Sequence, residues 1–235
     1  MGKIEISRKT TKKHQSYQCF TKILVAICLL AIVSTADAQN KEKVTTRAIA
    51  FDSDWSFIKD SVRNAEQADF NDSKWRKVDL PHDWSIDDLP GQTEGVVVGP
   101  FNKRSAGITQ TGFTIGGTGW YRKKFKLGKD AQNKSVTIYF DGVYMNSDVW
   151  LNGHHLGNHP YGYTPFYYDL TPYLKQSGEN ILAVRVRNEG KNSRWYSGSG
   201  IYRHVWLIVT NPVHVEQWGV YITTPKVSET SGVVM

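Results

Sequence analysis

Beyond residue 38 the sequence has no cysteine, because Cys19 and Cys28 are its only two. A disulfide framework or a thiolate metal site is therefore excluded for residues 39–235, and a core of that many residues does not need such staples. Long apolar runs are missing as well. The longest, Ile23 to Val33, is about half of the roughly 20 residues that a membrane-spanning helix requires. Charge of one sign is also scarce. Of the 29 Lys and Arg and 22 Asp and Glu, residues 1–38 hold six and two, so the remainder carries a surplus of only three positive charges. Its lysines are scattered and no nucleic-acid motif accompanies them, which argues against a nucleic-acid partner.

What is present begins with Lys3, Arg8, Lys9, Lys12, Lys13 and Lys22, continues through the apolar run, and reaches Ala36-Asp37-Ala38 before Gln39. This is the order of a secretory signal peptide. Cleavage after Ala38, a secreted or periplasmic product and no membrane attachment after cleavage are expected. Cys28 lies inside the apolar run and follows the bulky Ile27, which speaks against a lipid anchor.

Little of the rest has helical periodicity. Tyr121, Phe125 and Leu127 fall on one face of a strand, with Arg122, Lys124 and Lys126 on the other. Val136, Ile138 and Phe140 repeat the alternation, as do Leu182, Val184 and Val186, and Val205, Leu207 and Val209, so a shared core is predicted for these faces. Asn152-Gly153 predicts a tight hairpin, and Thr171-Pro172 a short helical turn. Trp120, Trp150 and Trp206 lie in or beside strands, where burial accounts for them. Ile86 to Thr118 holds seven glycines among polar residues and reads as a long loop, functional or disordered. The pattern is all-β, two packed antiparallel sheets.

Several segments carry a more specific signal: Trp75-Arg-Lys-Val-Asp-Leu-Pro-His-Asp-Trp84, Gly119-Trp-Tyr-Arg122, the run from Asp141 to Gly153, Pro160-Tyr-Gly-Tyr-Thr-Pro-Phe-Tyr-Tyr-Asp-Leu-Thr-Pro-Tyr-Leu174, and Asn192-Ser-Arg-Trp-Tyr-Ser-Gly-Ser-Gly-Ile-Tyr-Arg-His-Val-Trp-Leu207. In this order they resemble the N-terminal sugar-binding domain of glycoside hydrolase family two, which includes bacterial β-galactosidases, β-glucuronidases and β-mannosidases. The resemblance implies a galactose-binding-domain-like jelly-roll β-sandwich over residues 39–217. It also implies that residues 218–235, which alternate from Gly219 to Thr224, begin an immunoglobulin-like domain, with the catalytic barrel still to come. The implied ligand is a β-galactoside-like glycan, with no cofactor.

Retaining glycosidases of this kind use two carboxyl groups roughly 5 to 5.5 Å apart. The resemblance puts both on the barrel, and Glu94, Glu179 and Glu189 lie in no matching motif, so no catalytic residue is expected in this chain. Candidate substrate-binding residues are Asn192, Arg194, Trp195 and Tyr196, a loop with a guanidinium and two aromatics suited to sugar hydroxyls and C–H faces. The competing reading packs Trp195 and Tyr196 between domains. Asp83 and Trp84 form a second candidate pair, against the alternative that Asp83 caps a turn and Trp84 fills the sandwich edge. Asn192 and Ser193 stand where some β-galactosidases have an acidic residue associated with an alkali cation, so none is expected. His154 and His155, adjacent on a strand, point to opposite faces and cannot chelate one metal, and His155 and His159 read as surface residues. Three functions follow: an accessory domain of a secreted β-glycosidase, most like a β-galactosidase; a stand-alone carbohydrate-binding module; or a structural domain of a β-glucuronidase or β-mannosidase that buttresses the barrel and supports homo-oligomer contacts.

Overall fold

The computed structural model describes residues 47–87, 101, 105, 107–189 and 198–235. Its strands are β1 (Ala48–Ala50), β2 (Trp55–Ile58), β3 (Arg76–Val78), β4 (Gly117–Phe125), β5 (Ser135–Phe140), β6 (Ser147–Leu151), β7 (His154–His159), β8 (Phe166–Asp169), β9 (Asn180–Asn188), β10 (Val205–Thr210), β11 (Lys226–Val227) and β12 (Gly232–Val233). A four-residue helix of a single turn, α1 (Trp84–Asp87), follows β3. The sheets are antiparallel: four strands in the order β1-β10-β5-β8, six in the order β3-β2-β4-β9-β6-β7, and the separate pair β11-β12.

The two large sheets form a jelly-roll sandwich around one apolar cluster. Val136, Ile138 and Phe140 of β5 meet Leu182, Val184 and Val186 of β9 there, with Val149 and Leu151 of β6 and Val205 and Leu207 of β10. Leu182, Val184, Val186, Val205 and Leu207, predicted to face inward, are buried, and Val209 near the end of β10 is half-buried against the same cluster. Period-two alternation dictated this outcome, since one face of each strand must leave water with its neighbours. Asn152 and Gly153 both adopt positive φ at the β6-β7 hairpin, and Thr171–Tyr173 form the expected short turn, a 3₁₀ helix with Pro172 in its first turn.

The alternation in β4 misleads on its second face. Arg122 is fully buried, because the segment from Val62 to Trp75 covers the outer side of the six-stranded sheet. Trp120 and Trp150 stack there at 5.4 Å beside Ala65 and Ala183. The Arg122 side chain bonds the Asp72 carboxylate at 3.2 Å and the carbonyls of Ala65, Gln67 and Phe70. Lys123 breaks the apolar pattern of the inner face in the opposite way. Its stem crosses the Phe51 ring, with Nζ 4.5 Å from the centroid, and its ammonium reaches the Ser53 carbonyl.

Candidate functional site

The segment Pro81 to Ser85 is built by capping. Asp83 Oδ1 accepts from the Ser85 backbone N–H at 2.9 Å and from the Ser85 hydroxyl at 2.5 Å, which closes the first turn of α1. The same oxygen accepts from the Ser199 N–H at 2.8 Å, and so ties α1 to the chain that leads into β10. His82 lies beneath, buried between Arg76 and Tyr121. Arg76 has only donors, so its 3.1 Å contact makes His82 Nε2 the acceptor, and the proton on Nδ1 points at the Tyr121 hydroxyl 2.7 Å away.

Trp84 is completely buried, its indole stacked on Phe57 and tilted against Tyr121. This corrects the assignment of Trp84 to sugar contact: no face of the indole is open to a ligand. Asp83 serves as the cap and tie, with its Oδ1 satisfied by three donors. The structural alternative for this pair is thus the one the geometry favours.

Asn192, Arg194, Trp195 and Tyr196 lie outside the described residues, but the residues on either side of that segment do not. Asn188, the last residue of β9, donates from Nδ2 to the Ser199 hydroxyl at 2.7 Å and to the Gly198 carbonyl at 3.2 Å. Ser199 Oγ in turn donates to the Ile115 carbonyl at 3.1 Å. Gly200 then exchanges two backbone bonds with Tyr144. Asp83, Asn188 and Ser199 therefore form one polar knot where α1, β9 and the approach to β10 converge.

Beside the knot is a group of tyrosines that the sequence reading did not single out as a site. Tyr161 and Tyr163 are exposed, and Tyr163 meets both Tyr161 and Tyr144 edge to face. Tyr202 donates to the Gly162 carbonyl at 2.8 Å. Burial pushes the phenols of Tyr163 and Tyr202 up from their ordinary value, so both remain protonated donors at neutral pH. The available signal was the density of tyrosine in Pro160 to Phe166. This end of the sandwich offers flat apolar faces and hydroxyl donors, the chemistry that polyhydroxylated rings require.

The histidines divide as strand geometry demands. His154 stacks on Tyr173, whereas His155 meets Asp148 at 3.1 Å and lies against Trp150. His159 departs from the surface reading, since it is partly buried and stacked on Phe166 at 4.3 Å, and burial pushes its pKa down.

The model of the glycosyl hydrolases family 2 sugar binding domain matches residues 49–212. The chain belongs to glycosyl hydrolase family 2. Within that family it is 50% identical over 185 residues to the β-galactosidase BoGH2A of Bacteroides ovatus, an alignment that covers 78% of this chain and 20% of that protein. A β-glucuronidase of Formosa agariphila is 34% identical over 203 residues, covering 77% of this chain and 20% of its own length. Among solved structures, a family 2 member from Bacteroides cellulosilyticus superimposes with a TM-score of 0.69 at 48% identity, covering 77% of this chain and 23% of that one. The chain thus spans about a fifth of the length of these family 2 relatives.

Proposed function

We propose that the chain is the N-terminal, noncatalytic sugar-binding domain of a β-galactosidase that cleaves terminal β-galactosides with retention of configuration. The observation that carries this reading is the 50% identity to a β-galactosidase across 78% of the chain, a stretch longer than the match to the family's sugar-binding domain at residues 49–212. The barrel of the same longer enzyme is the domain's principal partner, residues 218–235 open the intervening immunoglobulin-like domain, and residues 1–38 direct the enzyme out of the cytoplasm.

In this reading Arg194 and Trp195 reach the rim of the barrel's pocket, and the knot of Asp83, Asn188 and Ser199 sets where their segment starts and returns. The 235-residue chain by itself is expected to leave aryl β-galactosides intact. The longer enzyme should hydrolyse them and prefer them to aryl β-glucuronides. Trp195→Ala in that enzyme should lower kcat/KM about tenfold, the loss of a contact of about 1.5 kcal/mol, with its unfolding temperature unchanged. Preference for the glucuronide would reject the galactosidase assignment. Unaltered kcat/KM in the variant would make the segment structural.

A further inference from the structure

The outward face of the four-stranded sheet carries a second aromatic surface. Leu207 and Val205 face the core, so Trp206 and Ile208 face away from it. Strand register sets Trp206 opposite Tyr139 and Tyr139 opposite Tyr167, an unbroken row across β10, β5 and β8. Beyond β10 the chain returns across this face. Arg47 donates to the Val215 carbonyl at 2.7 Å, and the Trp218 ring meets both Tyr139 and Tyr167 edge to face.

Between the sheet and the returning segment lies a groove of about 410 Å³, lined by Arg47, Ala48, Tyr139, Trp206, Ile208 and Gln217. That volume lies within the range of about 300–1,000 Å³ usual for small-molecule sites. The floor is flat and aromatic. The Trp206 indole donates to the Asp141 carboxylate at 3.0 Å, which puts an acceptor next to this lining residue. Arg47 supplies donors and Gln217 supplies both kinds of group.

We propose that this groove is an ancillary saccharide site that takes one pyranose unit of a neutral glycan. The ring's C–H face would lie on Trp206 and Tyr139, and its hydroxyls would meet Asp141, Arg47 and Gln217. The chemistry selects this class. Hydroxyls need donors and acceptors together, the one carboxylate and one guanidinium cancel in charge, and an aromatic floor suits C–H groups better than it suits an anion. The inference rests on the carbohydrate-active reading above, but it draws on other residues than those named there.

The test is calorimetric and tryptophan-fluorescence titration of the 235-residue chain with methyl β-D-galactopyranoside and with β-1,4-galactobiose. Saturable binding with Kd in the millimolar range is expected. Trp206→Ala should weaken it at least about tenfold and Gln217→Ala about threefold, with circular-dichroism melting unchanged in the second variant because Gln217 lies on the returning segment outside both sheets. Absence of saturation by either sugar up to about 50 mM overturns the proposal, as does undiminished affinity in both variants. If the longer enzyme is active while the groove binds nothing, only the groove assignment fails; if the groove binds while the longer enzyme spares galactosides, only the hydrolase assignment fails.

Discussion

Arg122 shows how one side chain can decide whether a strand has one buried face or two. It is a guanidinium with no exposure, and it satisfies the Asp72 carboxylate and three backbone carbonyls from the segment Ala65 to Phe70. Arg122→Ala should destabilise the domain by about 3–5 kcal/mol, because three carbonyls would be orphaned and the buried Asp72 carboxylate would keep only the half-exposed Lys124, 3.2 Å away, as its ion-pair partner. Chemical denaturation would read the loss directly. Pairing Arg122→Met with Asp72→Leu should recover only part of it, since the carbonyls would still lack donors. Gly200 is a second case. Its φ is +128°, and an added Cβ would lie 2.3 Å from the Tyr121 hydroxyl and 2.7 Å from the His82 carbonyl. Gly200→Ala should therefore cost about 3 kcal/mol, seen as an earlier unfolding midpoint, through both strain and overlap.

At the scale of strands, Asp148 binds β6, β7 and β9 together. Its carboxylate accepts from Arg185 and Arg187 at 2.9 Å each and from His155 at 3.1 Å. Burial alone would push its pKa up, but the bonds from Arg185 and His155 and the charges of both arginines outweigh this and hold it below the ordinary carboxylate value. A depressed native pKa means that the stabilisation is complete above the unfolded value of about 3.9 and is lost as pH falls through the native one. Acid unfolding followed by circular dichroism should therefore show a steeper loss below about pH 4 in the wild type than in Asp148→Asn, which should be less stable at neutral pH. A pair of curves with the same slope would assign the acid sensitivity to other carboxylates. These elements also show what the sequence could reveal. The strand faces of β5, β9 and β10 were legible because one apolar side alternating with polar residues has only one stable placement. The burial of Arg122 was not, since a guanidinium paired with a carboxylate 50 residues earlier leaves no mark on local periodicity. Trp84 stayed between two readings for a related reason: a tryptophan beside an aspartate looks the same in sequence whether its ring meets a sugar or Phe57.

For the molecule as a whole, the family and the sandwich were legible from ordered segments, while the aromatic groove was not. Trp206 had been explained by burial alone, yet its indole forms a floor because the returning segment is fastened by Arg47 and Trp218, contacts that span 168 residues in the first case. The same long reach governs closure. β1 pairs with β10, and the Asp52 carboxylate just beyond β1 accepts from the Val205 N–H at 2.8 Å and meets His204 at 2.7 Å. Every strand of the six-stranded sheet is complete by Asn188, whereas the four-stranded sheet lacks its second member until Val205 to Thr210 exist. On a ribosome that adds about 5–20 residues each second, the larger sheet can therefore assemble while β5 and β8 wait as a lone pair and β1 has nothing to join. Its apolar side stays bare for that interval. The last strand of the sandwich to be synthesised is then the one that seals the core, and a nascent chain stalled before Val205 would present that bare side to its neighbours.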